Sequence, residues 1–311
     1  MSFPKVTIVG AGQVGATAAV LMLEKCLADV TLIDVAEGMP QGKALDMMHS
    51  RSIEQFGPVV AGTNDYADTA GSDVVVVTAG LPRKPGMTRD DLLAANSAIV
   101  TSVIEQTIAV SPDALVLMVT NPLDVMTYLA RKVSDLPASR VMGMGGVLDS
   151  ARFAYAIADH MGVSVTSVEA LACGAHGDAM VPLPAHSYVA GTPLTELLPA
   201  EEVDALVRRT IFGGAEVVSL LKTGSAFYAP AASVVRMVSA LLGGECAPLP
   251  SCVYLEGQYG ITDVYLSVPA VLDRCGVREI PEMDLSQAEI ESLRASADSV
   301  IESLRALGLR D

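Results

Sequence analysis

Apolar residues recur along this chain in two rhythms. Four runs, Val6 to Val9, Val30 to Ile33, Val74 to Val77 and Leu115 to Val119, are almost unbroken in Val, Ile and Leu. Such runs predict strands buried on both faces, the condition of a parallel sheet covered by helices. Between them Gln13 to Leu27, a stretch near Gly42 to Arg51, and Asp90 to Ala109 read as helices. Alternating β and α units of this length predict an α/β fold with a doubly wound parallel sheet. Ligands of such sheets sit beyond the carboxyl ends of the strands, so the residues after each run are the first candidates for chemistry.

Beyond about Gly143 the rhythm changes. A helix opens near Gly145 and continues to about Met161, and long helical stretches follow at Ala200 to Leu221 and Ala231 to Leu242. The last helix is announced by the capping box Ser286-x-x-Glu289. Within it Ile290, Leu293, Ala297, Ile301 and Leu304 share one face, which predicts a packing role. Two domains are expected, residues 1–143 and 144–311, the second of α+β type. A chain of 311 residues exceeds one ordinary core, which agrees with that division.

Composition narrows the partners. The net charge of -16 and pI near 4.6 exclude broad electrostatic affinity for nucleic acid or an anionic membrane, since either needs a basic face. Mean hydropathy is high at +0.44. No window holds the roughly eighteen uninterrupted apolar residues of a membrane span. Ala231 to Leu242, for example, is broken by Arg236. The chain enters its first strand within a few residues, without room for a signal peptide, so a cytoplasmic protein is expected. Five cysteines without a C-x-x-C pair fit reduced, packed thiols better than disulfides or zinc.

The first run leads into Gly10-Ala11-Gly12-Gln13-Val14-Gly15, then a helix, then a strand closed by Asp34. This hexapeptide is weak alone, but between a strand and a helix, with an acid about twenty residues on, it marks a dinucleotide site and a Rossmann-type sheet. Gly10 allows the tight turn, Gly12 lets backbone approach a pyrophosphate, and Gly15 lets helix pack on strand. No Lys or Arg stands beside Asp34 in sequence, so its carboxylate favours the ribose hydroxyls of NAD over the extra phosphate of NADP. A capping or solvated Asp is the plainer alternative.

After the third run, Leu81-Pro82-Arg83-Lys84-Pro85-Gly86-Met87-Thr88-Arg89 places three cations on one loop of an otherwise acidic chain: an anion site, or a solvated basic turn. After the fourth comes Thr120-Asn121-Pro122, where Asn121 is a ligand candidate and the Asn-Pro bond a candidate cis peptide. Hydride chemistry with a nicotinamide needs a proton partner, and histidine suits it near neutrality. Of the four histidines, His49 lies in a helical stretch, His160 near a helix C-terminus and His186 after Pro-Leu-Pro-Ala. His176 alone sits in a glycine-flanked turn beside a strand end, with Asp149 or Asp178 available to orient it.

Taken in order and spacing, Gly10 to Gly15, Leu81 to Arg89, Thr120-Asn121-Pro122, Leu148-Asp149-Ser150-Ala151-Arg152-Phe153 and His176-Gly177-Asp178 resemble the malate dehydrogenases of the bacterial lactate-dehydrogenase-like type. The resemblance covers essentially the whole chain. It implies an NAD-dependent oxidoreductase of the tricarboxylic acid cycle that interconverts malate and oxaloacetate. By that resemblance His176 carries the hydroxyl proton, Asp149 holds its imidazole, and Arg152 grips the C1 carboxylate in a two-pronged pair. Arg89 polarises the C2 oxygen as its loop closes, and Asn121 bonds substrate and helps place the nicotinamide.

Cofactor contacts are expected at Gly10, Gly12, Gln13, Val14, Gly15, Asp34, Asn96, Val119 and Asn121. Arg83 is implied to pair the second carboxylate, where lactate enzymes typically carry Gln. Burying that charge unpaired over pyruvate disfavours monocarboxylates by about 10⁴ or more. A lactate or other 2-hydroxy acid dehydrogenase is the rival enzyme, and a silent NAD-binding module the rival of another class. Ala175 and Ala179 depart from the family pattern, which more often has Gly and Thr or Ser there. A homo-oligomer, tetramer or dimer, is implied as well.

Overall fold

The structure, a computed structural model, describes residues 3–81, 89–244 and 247–310, with the backbone alone at 89 and 90. Contacts divide the chain into two compact units. One comprises Met1–Met144, Phe227–Ala247 and Leu272–Arg278; the other comprises Gly145–Ala226, Pro248–Val271 and Glu279–Asp311. The single cut expected after residue 143 therefore misses two segments that return to the first unit.

In the first unit, strands β1 (Lys5–Val9), β2 (Asp29–Ile33), β3 (Val60–Thr63), β4 (Val74–Val77), β5 (Leu115–Met118) and β6 (Val141–Gly143) lie in the order β3-β2-β1-β4-β5-β6. All neighbours are parallel. This is the strand order of a doubly wound dinucleotide sheet. Helices α1 (Gln13–Glu24), α2 (Met39–Glu54), α3 (Arg89–Val110) and α4 (Leu123–Ser134) connect the strands. The apolar runs revealed four strands of the six. Strand β3 is a short edge strand, Val-Ala-Gly-Thr, whose Gly62 admits the Pro40 backbone where a Cβ would collide with it. Strand β6 is three residues long.

Helix α1 stops at Glu24, short of the expected Leu27, because Cys26 turns to φ +52 and the Leu27 amide closes back on the Met22 carbonyl at 3.0 Å. Helix α3 buries Leu93, Val100, Val103 and Ile104 and packs against α4. Its span Asp91–Val110 is long and apolar enough to cross a membrane by length and composition. Asn96, Glu105 and Gln106 interrupt its apolar run, which is why it is not an uninterrupted apolar window.

The second unit opens with α5 (Gly146–Met161), followed by β7 (Val168–Glu169), β8 (Ala172–Gly174), β9 (Met180–Pro182), β10 (Tyr188–Val189) and β11 (Thr192–Pro193). Helices α6 (Leu194–Leu197) and α7 (Ala200–Leu221) come next. Helix α8 (Tyr228–Leu241) belongs to the first unit, where its buried face, including Ala231, Val234, Val235 and Val238, packs with α1. A doubly wound sheet needs apolar cover on both faces, and α8 supplies part of it from late in the sequence.

The second unit then continues with β12 (Leu249–Glu256) and β13 (Thr262–Asp273), after which come β14 (Gly276–Glu279) and α9 (Gln287–Ala306). Strands β12, β13, β8 and β9 pair antiparallel in that order. Phe153, Ala156 and Ile157 of α5 pack with Val203 and Leu206 of α7 and Leu194 of α6. This is the expected α+β character.

Helix α9 buries Leu293, Ser296, Ala297, Val300 and Leu304. Ile290 and Ile301 of the expected stripe are only half-buried, displaced by Ser296 and Val300. Of the cysteines, Cys173 and Cys252 are packed, but Cys26 and Cys275 are exposed. Cys246 lies outside the described residues. Burial, then the charge of Glu289, pushes the Cys173 thiol up to about 12, so it stays protonated.

The capping box is complete: Ser286 N donates to Glu289 Oε2 at 2.8 Å, and Ser286 Oγ accepts from Glu289 N at 3.4 Å. Ser286→Ala should cost about 1 kcal/mol. Its measure is the urea midpoint; no shift beyond experimental error would show that the box contributes nothing.

Candidate active site

The glycine turn of the first unit is built as its sequence requires. Gly10 stands at φ +105, and a Cβ there would lie 2.6 Å from Thr78 Oγ1. Gly15 packs so closely that a Cβ would collide with the Gly10 carbonyl oxygen. Gly12 differs. A Cβ there meets no atom within 4 Å, and no side chain caps the α1 N-terminus it begins. Gly12 and Gln13 are exposed, with Val14 half-buried behind them. Uncapped amides beside open space are what a pyrophosphate needs. The residues present thus fit a bound dinucleotide.

Asp34, at the end of β2, is half-buried and accepts hydrogen bonds from the Ala11 amide at 2.8 Å and the Ala36 amide at 3.0 Å. Lys43 of α2 donates to the Ala11 carbonyl at 2.7 Å. Ala11 is held from both sides by opposite charges. Sequence reasoning missed Lys43, because it weighed only the residues next to Asp34 and the helix brings this cation to the turn. Tyr66 is near enough to Asp34 that burial, then the acid's charge, pushes its hydroxyl up to about 12.

At the ends of β4 and β5 the expected groups divide into two kinds. Asn121 is exposed, and its bond to Pro122 is cis. Val119 is half-buried, its amide donating to Val77 O at 2.9 Å. Asn96 is 1% exposed and spends both amide hydrogens on the protein, on Asn121 O at 2.7 Å and Leu81 O at 3.2 Å, while its oxygen accepts from Leu81 N. Its place is behind Asn121, holding the strand ends together. Arg83 lies outside the described residues, as does the side chain of Arg89, where α3 begins.

In the second unit three expected residues meet. Asp149 lies in the first turn of α5, where a negative charge is favoured. It is 1% exposed. Its Oδ2 accepts from His176 Nδ1 at 2.9 Å, and its Oδ1 accepts from Arg152 at 3.5 Å, one turn along the same helix. Asp178, the other acid weighed for His176, makes no such contact among the described residues. Burial lowers the pKa of the Arg152 guanidinium and Asp149 raises it again. It remains a cation. Ser150 of α5 bonds the Ala172 amide at 2.9 Å, fixing the helix that carries the acid to the strand that leads to the histidine.

Gly213 and Gly214 of α7 were not foreseen. A Cβ on Gly214 would stand 3.4 Å from the Arg152 guanidinium, and one on Gly213 would stand 3.7 Å from its stem. Both are ordinary van der Waals distances, so the paired glycines lie against Arg152 without its space requiring them. Their adjacency inside a helix, where Gly is costly, is the signal that marks them. The other histidines have structural places: His160 pairs Glu202 at 2.7 Å, His186 lies 3.7 Å from Glu289, and His49 is exposed on α2.

Residues 4–143 match the family model described as lactate/malate dehydrogenase, NAD binding domain, and residues 146–306 match its alpha/beta C-terminal domain. A malate dehydrogenase of Trichormus variabilis is 53% identical over 297 residues, 96% of this chain and 92% of that protein. The solved malate dehydrogenase of Salinibacter ruber superposes with a TM-score of 0.93 at 46% identity, covering 98% of this chain and 97% of that one. A Cryptosporidium parvum lactate dehydrogenase complexed with lactic acid and nicotinamide adenine dinucleotide gives 0.96 at 41% identity, with full coverage of both chains. The fold itself therefore does not choose between these substrates.

Two glycine variants separate fold from binding. Gly15→Ala should lose about 1–3 kcal/mol of stability through overpacking and weaken NADH as well. Gly12→Ala should keep the thermal midpoint and weaken NADH alone, as read by fluorescence titration. Equal stability losses in both would contradict the open space at Gly12.

Proposed function

The chain belongs to the lactate/malate dehydrogenase family, and on that premise we propose that it is an NAD-dependent enzyme interconverting malate and oxaloacetate, with His176 as the proton partner. The observation that carries the reading is the shared carboxylate of Asp149, bonded to His176 on one oxygen and to Arg152 on the other. The curated relative at 53% identity, with nearly full coverage, supports malate over lactate.

When bound, NAD supplies the hydride acceptor in one direction and the donor in the other. Gly10, Gly12, Gln13, Val14 and Gly15 would hold its pyrophosphate end and Asp34 its ribose hydroxyls. Val119 and Asn121, at the end of β5, would meet the nicotinamide, and Asn96 holds the Asn121 carbonyl. With Asp149 accepting the Nδ1 proton, the proton exchanged with the C2 oxygen moves through His176 Nε2. In malate oxidation Nε2 takes the hydroxyl proton, and in oxaloacetate reduction it returns it. Arg152 pairs the C1 carboxylate, a flat two-pronged geometry that Lys does not reproduce. Arg89 polarises the C2 carbonyl, and Arg83 pairs the second carboxylate and so selects the dicarboxylate.

The cofactor work thus falls to residues 1–143, together with the substrate contacts of Arg83, Arg89 and Asn121, and the proton transfer and the C1 carboxylate grip fall to 144–311. We read the protein as cytoplasmic and as a homo-oligomer, tetramer or dimer. Exposed Leu45 and Ile53 on α2, and Phe212 and Leu220 on α7, offer apolar surface for a second copy.

The test is NADH oxidation with oxaloacetate beside pyruvate. Oxaloacetate should be preferred strongly, and comparable rates would sink the role of Arg83. His176→Asn should lower kcat by about 10²–10⁴-fold with NADH binding retained. Arg83→Gln should shift preference towards pyruvate; a folded variant equally slow on both would show that Arg83 does more than select.

A further inference from the structure

The loop that carries His176 leaves β8 at Gly174 and rejoins the sheet at β9, and one side chain of α9 holds both of its ends. Ser296 Oγ accepts from the Ala175 amide at 2.8 Å and donates to the Ala179 carbonyl at 2.6 Å. The residue is 4% exposed, and Leu293, Ala297 and Val300 anchor its helix on either side. A single hydroxyl therefore spans from the residue before His176 to the third residue after it.

The surrounding backbone is shaped for this approach. Gly174 stands at φ +85, and a Cβ there would lie 2.8 Å from Ser296 Oγ. Gly177 turns at φ +106, and its carbonyl accepts from Met180 N at 3.1 Å, closing the loop on itself. His176 is then tethered twice: its ring by Asp149 and its main chain by Ser296.

We propose that Ser296 is a positioning residue for the reaction, fixing the Ala175–Ala179 loop so that the His176 ring meets Asp149 and turns Nε2 to the substrate. This rests on the reading of His176 as proton partner. It also accounts for the two departures from the family pattern. Ala175 and Ala179 engage Ser296 through main-chain atoms, which any residue supplies, so their side chains leave the loop's hold unchanged.

Ser296→Ala removes the bridge and leaves the buried Ala175 N–H and the half-buried Ala179 C=O without it. Displacing a proton partner by a fraction of an ångström should lower kcat for oxaloacetate reduction about ten- to hundredfold, while KM for NADH stays within about twofold. Reduction uses protonated His176, a form the charge of Asp149 favours. A loosened pair should therefore move the alkaline limb of the kcat/KM profile to lower pH. Amide exchange of the peptide spanning 174–180 should quicken.

Wild-type kcat in the variant, or a lowered kcat with neither the pH limb nor the loop exchange altered, overturns the assignment. So does a parallel loss of NADH affinity and thermal midpoint, which would mark a general structural role. If Ser296→Ala does not fold, Ser296→Cys, of similar volume and weaker hydrogen bonding, is judged by the same criteria. A wild-type protein without oxaloacetate-dependent NADH oxidation overturns the functional reading itself, whereas an active wild type beside an unaffected variant overturns the role of Ser296 alone.

Discussion

One buried carboxylate sets the terms for the second unit. Asp149 is almost wholly withdrawn from water, and an ion there is costly, by several kcal/mol even after relaxation, roughly, unless its partners are well placed. His176 and Arg152 are those partners, one on each oxygen. The imidazole proposed to carry the proton and the guanidinium proposed to grip the carboxylate are thereby both tied to the same acid. A 2-hydroxy acid presents the matching pair, a carboxylate directly bonded to the carbon that bears the reacting oxygen.

The first unit solves a different problem, which is to leave backbone amides available without leaving them disordered. Glycine supplies the shape, but glycine is permissive and does not hold a shape by itself. Asp34 and Lys43 do the holding, one on the Ala11 amide and the other on its carbonyl. Because a trans peptide points its C=O and N–H in opposite directions, anchoring the Ala11 carbonyl also orients the Gly12 amide. The opposed charges leave the turn electrically balanced before any ligand arrives.

Much of this was legible in the sequence, for reasons that differ element by element. Strands β1, β2, β4 and β5 announce themselves because a strand covered on both faces must be apolar throughout. Strands β3 and β6 do not, being too short for a pattern to stand out from noise. His176 and Asp149, bonded at 2.9 Å, were read together, one from its glycine-flanked setting and the other from its place in a motif. Lys43 and Ser296 were not, since each acts on a partner far along the chain, and nothing local reveals that contact. Sequence marks the groups that do chemistry more clearly than the groups that hold them.

The same distinction explains where substrate choice must lie. Proton transfer at C2 and the grip on C1 are common to all 2-hydroxy acids, so Asp149, His176 and Arg152 in the roles proposed for them do not tell malate from lactate. Discrimination requires a group that meets the substrate beyond C2, and the difference there is one charge. An arginine suits this purpose better than a shaped apolar pocket. A missing methylene shifts binding by only about 1–3 kcal/mol, whereas enclosing an unpaired guanidinium costs far more. Among the groups implied to meet the substrate, Arg83 is the cation left unused by C1 and C2. A change at Arg83 alters neither of the residues bonded to the buried carboxylate of Asp149.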